Sequence, residues 1–392
     1  MQADTALSLP EPDVASEAHS QAVRSAVVER IVAAGGCISF AEYLQTVLYA
    51  PGLGYYVTGS RKFGEGGDFI TAPEVSDLFG RVIARQVAPT VRGLDRARIL
   101  EFGAGSGKLA VDVMRALAAQ DALPERYSIL EASAELAERQ RERVRRELPD
   151  LAGRFEWLSD WPDAFTGVVL ANEVLDAMPV ERFRVGKGAP VRLAVAVENE
   201  RLVVRDAAAP DWLAGAIEHI EADLGAPLPD GYVSEFAPAA SAWIRDLARH
   251  LDRALVLLFD YGLPRREYYA PERDGGWLRC HFRHRAHNDP LILPGIQDIT
   301  AWVDFTAIAE SAVDAGLSLA GYLPQAQFLL EGGLLDELAA AGSDAGPALS
   351  REVKLLTLPG EMGEHFKCMA LTRGDGVVLP AAFARADHSH RL

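Results

Sequence analysis

Residues Arg98–Lys108 read RILEFGAGSGK, and this stretch decides the fold. A short apolar run, Arg98–Gly103, stops at Gly103, Gly105 and Gly107, and helical spacing begins at Lys108 and runs to Ala119. Glycines at a strand-to-helix seam permit positive φ and let the backbone approach a ligand closely. The rhythm continues downstream. Tyr127–Glu131 reads as a second strand, Ser133–Arg146 as its helix, and Phe155–Leu158 and Gly167–Ala171 as further short strands. Ala239–His250 resumes a helix, Ala254–Tyr261 is a fifth buried strand, and strands are expected near Leu317–Leu323 and His365–Leu371. Strands alternating with helices imply a doubly wound, mostly parallel sheet with right-handed crossovers, an α/β fold of Rossmann-like type.

The remaining segments sit around that core. A flexible tail is expected over 1–21 and an N-terminal helical cap with a glycine-rich loop over 22–92. The core follows in two halves, 93–180 and 251–374, with a C-terminal tail over 375–392. Between the halves, Glu181–Arg205 alternates apolar and polar residues about Gly186-Lys187-Gly188, so 181–250 reads as a β-hairpin and helical insertion. A helix is expected from about Pro73 to Val91, and the stretch from Gly262 to Asp298 reads as a long functional loop or lid.

With 39 basic against 56 acidic residues, the net charge of −17 argues against non-specific nucleic-acid binding, which needs a basic surface. No apolar run reaches the length of a membrane span, so no membrane partner is expected. Three widely spaced cysteines fit a reducing compartment and no metal-ligand pattern. His281, His284 and His287 lie in the long loop with Arg283 and Arg285 between them, which reads as a hydrogen-bonded lid rather than a metal site. The N-terminus shows neither a secretory nor an Arg-rich targeting pattern, and a cytoplasmic protein is expected.

The glycine turn discriminates among nucleotide-binding motifs. A P-loop in register with Gly107-Lys108 would need glycine at Phe102 and a hydroxyl at Leu109, and a dinucleotide fingerprint from Gly103 would need glycine at Lys108. The pattern Glu101-x-Gly103-x-Gly105-x-Gly107 instead resembles the first motif of class I methyltransferases, where the turn cradles the methionine part of the cofactor. Glu131, ending the second strand, is placed to accept hydrogen bonds from ribose hydroxyls, and Asp160, after the third, to approach an adenine edge. Ligands of open α/β sheets bind beyond the carboxyl ends of the strands. Asn172, Glu173 and Asp176, which follow the fourth strand, therefore project toward the reacting centre. Carboxylates there would grip a guanidinium in a bidentate manner; they would equally serve to cap a following helix. Asp260-Tyr261-Gly262 ends the fifth strand in the same crevice.

Longer stretches carry a more specific resemblance: ISFAEYLQTVLYAPGLGYY (Ile38–Tyr56), KFGEGGDFITAPEVSDLFG (Lys62–Gly80), ANEVLDAMPVERF, QDITAWVDF and LTLPGEMGEHFKCMAL. From about Ser25 to Leu371 the chain resembles the MidA-like family, which includes the mitochondrial complex I assembly protein-arginine methyltransferase. The resemblance implies a class I methyltransferase core and S-adenosyl-L-methionine as cofactor. It further implies that Gly67, Asp68 and Thr71 lie over that cofactor beside Gly103, Gly105 and Glu131. It implies transfer to an arginine on a partner protein, and is compatible with a homodimer. Trp277 stands where the family usually has a small hydroxyl residue, in a loop expected to face the substrate. Three rivals remain open: a methyltransferase acting on a small molecule or another side chain, an assembly chaperone that binds the cofactor without turnover, and, disfavoured by the glycine register, a nicotinamide-linked oxidoreductase.

Overall fold

The computed structural model describes residues 9–58, 71–340 and 346–392. Its centre is a seven-stranded sheet: β1 (Arg98–Phe102), β2 (Tyr127–Leu130), β3 (Phe155–Leu158), β4 (Phe165–Asn172), β5 (Leu251–Leu263), β6 (Ser318–Pro324) and β7 (Phe366–Arg373). Across the sheet the order is β6-β7-β5-β4-β1-β2-β3, and β7 runs antiparallel to both its neighbours. An additional two-residue strand, Val303–Asp304, pairs with the end of β5. The continuous apolar runs follow from burial on both faces. Ile99, Val168, Leu255 and Leu257 enter the core on one side, and Leu100, Val169, Val256 and Leu258 enter it on the other. Each such side chain contributes about 1.5–3 kcal/mol on burial. Helices Asp77–Gly93 and Lys108–Ala119 cover the first face, and Pro238–His250 and Phe305–Asp314 the second.

Connections run outward from β1 to β2 and β3 on one side, and to β4 and β5 on the other. The switch point thus lies between the carboxyl ends of β1 and β4, where a crevice opens. Two smaller sheets accompany the core, and the second contributes to the crevice wall. One joins Cys37–Ile38 to Glu181–Arg184, Val191–Glu198, Arg201–Ala208 and Val233–Phe236. The other, antiparallel, comprises Leu278–Phe282, Arg285–His287 and Asp298–Ala301.

Several segment boundaries differ from the sequence expectation. Residues 1–21 are not a tail throughout: a helix runs from Val14 to Ala33, because Asp13 caps it by accepting from the Ser16 amide at 2.9 Å. Residues 375–392 are likewise not a tail. Ala382 and Phe383 are buried in the core, and the Ala382 amide donates to Gln86 Oε1 at 3.0 Å. The helix expected over Pro73–Val91 is two helices, Ala72–Val75 and Asp77–Gly93, since extended Ser76 ends the first and caps the second through the Leu78 amide. The inserted hairpin does not stand alone. Val195 and Ala196 pair with the N-terminal Ile38 and Cys37, while the helix Pro238–His250, expected in the insertion, packs on the core. The long loop is largely structured, because Leu278, Cys280 and Phe282 alternate inward and form a strand.

Candidate active site

A cavity of about 820 Å³ occupies the crevice. Its floor is the glycine turn, where Gly103, Gly105 and Gly107 all have positive φ (61°, 53° and 80°). Gly103 and Gly105 line the cavity; Gly107 does not, and instead starts the helix Lys108–Ala119 as its left-handed N-cap against Gln140. Thr71 lines the cavity as well, whereas Gly67 and Asp68 lie outside the described residues.

Glu131 lines the same compartment, with Oε1 accepting from the Ser133 amide at 2.9 Å and Oε2 from Gln140 at 3.0 Å. Gln140 is fully buried. Its Nε2 also donates to the Gly105 carbonyl at 3.0 Å, and its Oε1 accepts from the Trp157 indole at 2.9 Å. This side chain fixes the glycine turn relative to the acidic strand end, and it was not singled out in the sequence. Its one signal there is a polar residue at helical spacing between Ala137 and Val144, on the buried stripe of the helix Ala134–Glu147. Glu101, 2% exposed, accepts from the Tyr127 hydroxyl at 2.7 Å. Burial lifts its carboxyl to about 7, the Tyr127 hydroxyl opposing and the Glu131 charge assisting. Asp160 departs from expectation: it is exposed and not on the cavity wall. It lies beyond the end of β3 and accepts from the Trp161 amide at 2.8 Å, while the Trp161 ring packs on Phe102.

Asn172, Glu173 and Asp176 line the cavity beyond β4. No helix follows them: the next element is the strand Glu181–Arg184, so these carboxylates have no helix to cap. Amide anchoring there belongs to Asp260, which accepts from the amides of Leu175 (2.9 Å), Asp176 (3.2 Å) and Tyr261 (2.9 Å). Glu173 adopts φ 53°, a strained conformation for a non-glycine residue, held by its amide's bond to the Phe259 carbonyl at 2.8 Å. Burial and then the Asp176 charge push the Glu173 carboxyl up to about 8, against the hydrogen bonds from Asn172 and the Ala72 backbone. Burial raises Asp176 to about 6, with the Tyr261 hydroxyl opposing. Among the described residues no cation acts on either carboxylate, and Asp176 Oδ1 and Asn172 Oδ1 are buried without a hydrogen-bond partner. Unfilled acceptors on a cavity wall suit a ligand rich in donors.

Further lining comes from other segments. Tyr49 donates to the Ala177 carbonyl at 2.9 Å, and Tyr56 donates to Asp298 Oδ1. Tyr261, Trp302, Arg279, His281 and His365 line the cavity too. Trp277 is not in the cavity wall. It is 5% exposed and stacks behind Trp302 with ring centroids 4.3 Å apart, its indole N–H donating to the Tyr268 carbonyl. Burial of so large an aromatic surface favours that packed position.

An S-adenosyl-L-methionine-dependent methyltransferase family model matches residues 82–323, well over half of the chain. The chain belongs to this methyltransferase family. The methyltransferase is 30% identical over 374 residues to the Drosophila melanogaster "Protein arginine methyltransferase NDUFAF7 homolog, mitochondrial", covering 86% of this chain and 82% of that protein. It is 28% identical to the Homo sapiens mitochondrial protein arginine methyltransferase NDUFAF7, covering 86% of this chain and 80% of that one. A crystal structure from Burkholderia thailandensis bound to S-adenosyl-homocysteine shares 42% identity and a TM-score of 0.93 over 98% of this chain and 100% of that chain. The cofactor of the methyltransferase is therefore S-adenosyl-L-methionine, and its fold is that of class I. The expected cytoplasmic location is corrected by these relatives, whose names place them in mitochondria; the lack of a targeting pattern on which it rested was no guide to compartment. Among the described residues, no helix is long and apolar enough to cross a membrane.

Proposed function

We propose that the methyltransferase modifies an arginine side chain of a partner protein, with Glu173 and Asp176 holding the guanidinium. One observation carries this reading: half-buried Glu173 and buried Asp176, at the cavity end of β4, have neither a helix to cap nor a cation of the described chain to pair with. The names of the relatives as protein arginine methyltransferases support it.

Gly103, Gly105 and Glu131 would hold the cofactor. The positive-φ glycines leave room for it above the turn, and Glu131 offers carboxylate oxygens to ribose hydroxyls. When bound, S-adenosyl-L-methionine supplies a methyl group activated by its sulfonium, which passes to an arginine nitrogen while the carbon–sulfur electron pair stays on sulfur. Glu173 and Asp176 accept guanidinium N–H bonds, orient one nitrogen, and draw positive charge away from it. Glu173 then accepts the proton that the methylated nitrogen sheds. The strained backbone at Glu173 and the three amides on Asp260 fix this geometry before the acceptor arrives.

The test is to incubate the enzyme with methyl-labelled cofactor and a protein extract, then hydrolyse the labelled protein and separate its amino acids. Label in methylarginine, absent with Glu173→Gln, is expected. Label in another amino acid, or only in small molecules, would overturn the arginine reading while leaving the methyltransferase intact.

A further inference from the structure

We propose that Asp298 is a specificity-determining residue, a third carboxylate lining the cavity with Glu173 and Asp176 that favours a guanidinium over a primary ammonium as the acceptor. This rests on the arginine reading above and deepens it.

Asp298 opens the strand Asp298–Ala301, lines the cavity, and is 3% exposed. Tyr56 donates its hydroxyl to Asp298 Oδ1, so the carboxylate is held in place. Its charge acts on Glu173, Tyr49 and Tyr261, groups that arrive from three separate parts of the chain. A second, independent observation points to a ligand in this cavity. Asp176 Oδ1, in the same cavity, is buried without a hydrogen-bond partner, while the Asp176 carbonyl accepts from Ala301 of the Asp298 strand at 2.9 Å. Arg279, which also lines the cavity, is engaged with the Leu278 carbonyl at 3.2 Å and Asn288 Oδ1 at 3.3 Å.

Carboxylates that reach one cavity from two separate segments ask for donors that diverge in one plane. A guanidinium has five N–H groups in a rigid planar fork and serves two carboxylates at once. An ammonium presents three donors from a single compact nitrogen, and serving carboxylates from both segments would leave buried acceptors unmet. The Tyr49 and Tyr56 hydroxyls are already committed to Ala177 and Asp298, and the Tyr261 hydroxyl, though bonded to the Asp176 carboxylate, leaves its Oδ1 without a partner.

The experiment uses the full chain saturated with S-adenosyl-homocysteine and two probes, N-acetyl-L-arginine methylamide and N-acetyl-L-lysine methylamide. Their dissociation constants are measured by ligand-observed NMR. Wild type is expected to prefer the arginine probe by about tenfold or more. Asp298→Asn should cut that preference to roughly twofold, with S-adenosyl-homocysteine affinity unchanged. Tyr56→Phe, which keeps the carboxylate but removes its holding hydroxyl, should cut it part-way, and decides the matter if Asp298→Asn fails to fold. Preference retained in the folded variants would overturn the role of Asp298 while leaving the arginine reading in place. No preference in wild type would overturn both.

Discussion

Replacing Glu173 with glutamine should flatten the pH dependence of the cofactor-free protein's stability. The Glu173 carboxyl sits at about 8 in the folded chain, against an ordinary 4.5, because burial and the Asp176 charge oppose its ionisation. A carboxyl raised on folding contributes stability that is complete below its unfolded value and is lost as pH rises through its folded value. The window for Glu173 therefore runs from about 4.5 to about 8. Taken at face value the displacement corresponds to ~5 kcal/mol. The side chain is only half-buried at the cavity wall, so solvent screening reduces this to roughly 2 kcal/mol. Asp176 and Glu101, lifted to about 6 and about 7, act in the same direction and leave a residual slope in the variant. The assay is urea denaturation without cofactor at about pH 5 and about pH 9. Wild type should lose roughly 2 kcal/mol more than Glu173→Gln between those two conditions. Parallel losses in the two proteins would refute the electrostatic account of this corner of the site.

Other consequences follow from the same contacts. Gln140→Leu breaks the bonds to Gly105 and Glu131, and should weaken cofactor binding about tenfold in calorimetry while the far-UV spectrum stays native. Asp260→Asn removes one of the two acceptors that hold the Leu175, Asp176 and Tyr261 amides, and should cost ~2–3 kcal/mol in denaturation while lowering kcat, since Glu173 and Asp176 lose their support. The KM for a cationic acceptor should fall as pH rises toward about 8, because Glu173 must be ionised to pair with a cation. A flat KM profile would show that Glu173 does not contact the acceptor.

Much of the core was legible because its signals are local. The run Arg98–Phe102, its glycine turn and the helix from Lys108 are contiguous, and the turn residues admit few backbone paths. Asn172, Glu173 and Asp176 were legible for the same reason, since a strand end in an open α/β sheet names its own crevice. What sequence could not settle was whether those acids cap a helix; the absence of a helix after β4 is a property of the chain beyond them. The rest of the lining was not legible. Tyr49 reaches Ala177 across 128 residues and Tyr56 reaches Asp298 across 242, separations that no periodicity encodes. Asp160 misled because a strand-end acid looks the same whether it turns into the crevice or out to solvent. Trp277 misled because a substitution in a loop says nothing of which side of Trp302 the ring will pack on.

The most direct test of where the cofactor sits is calorimetric titration with S-adenosyl-L-methionine and S-adenosyl-homocysteine, on wild type and on Gly105→Val. Gly105 has φ 53° on the cavity floor, a conformation valine adopts only with strain. The account predicts binding on the order of micromolar to wild type and its loss in the folded variant. Undiminished binding by folded Gly105→Val would contradict it, placing the cofactor away from the glycine turn.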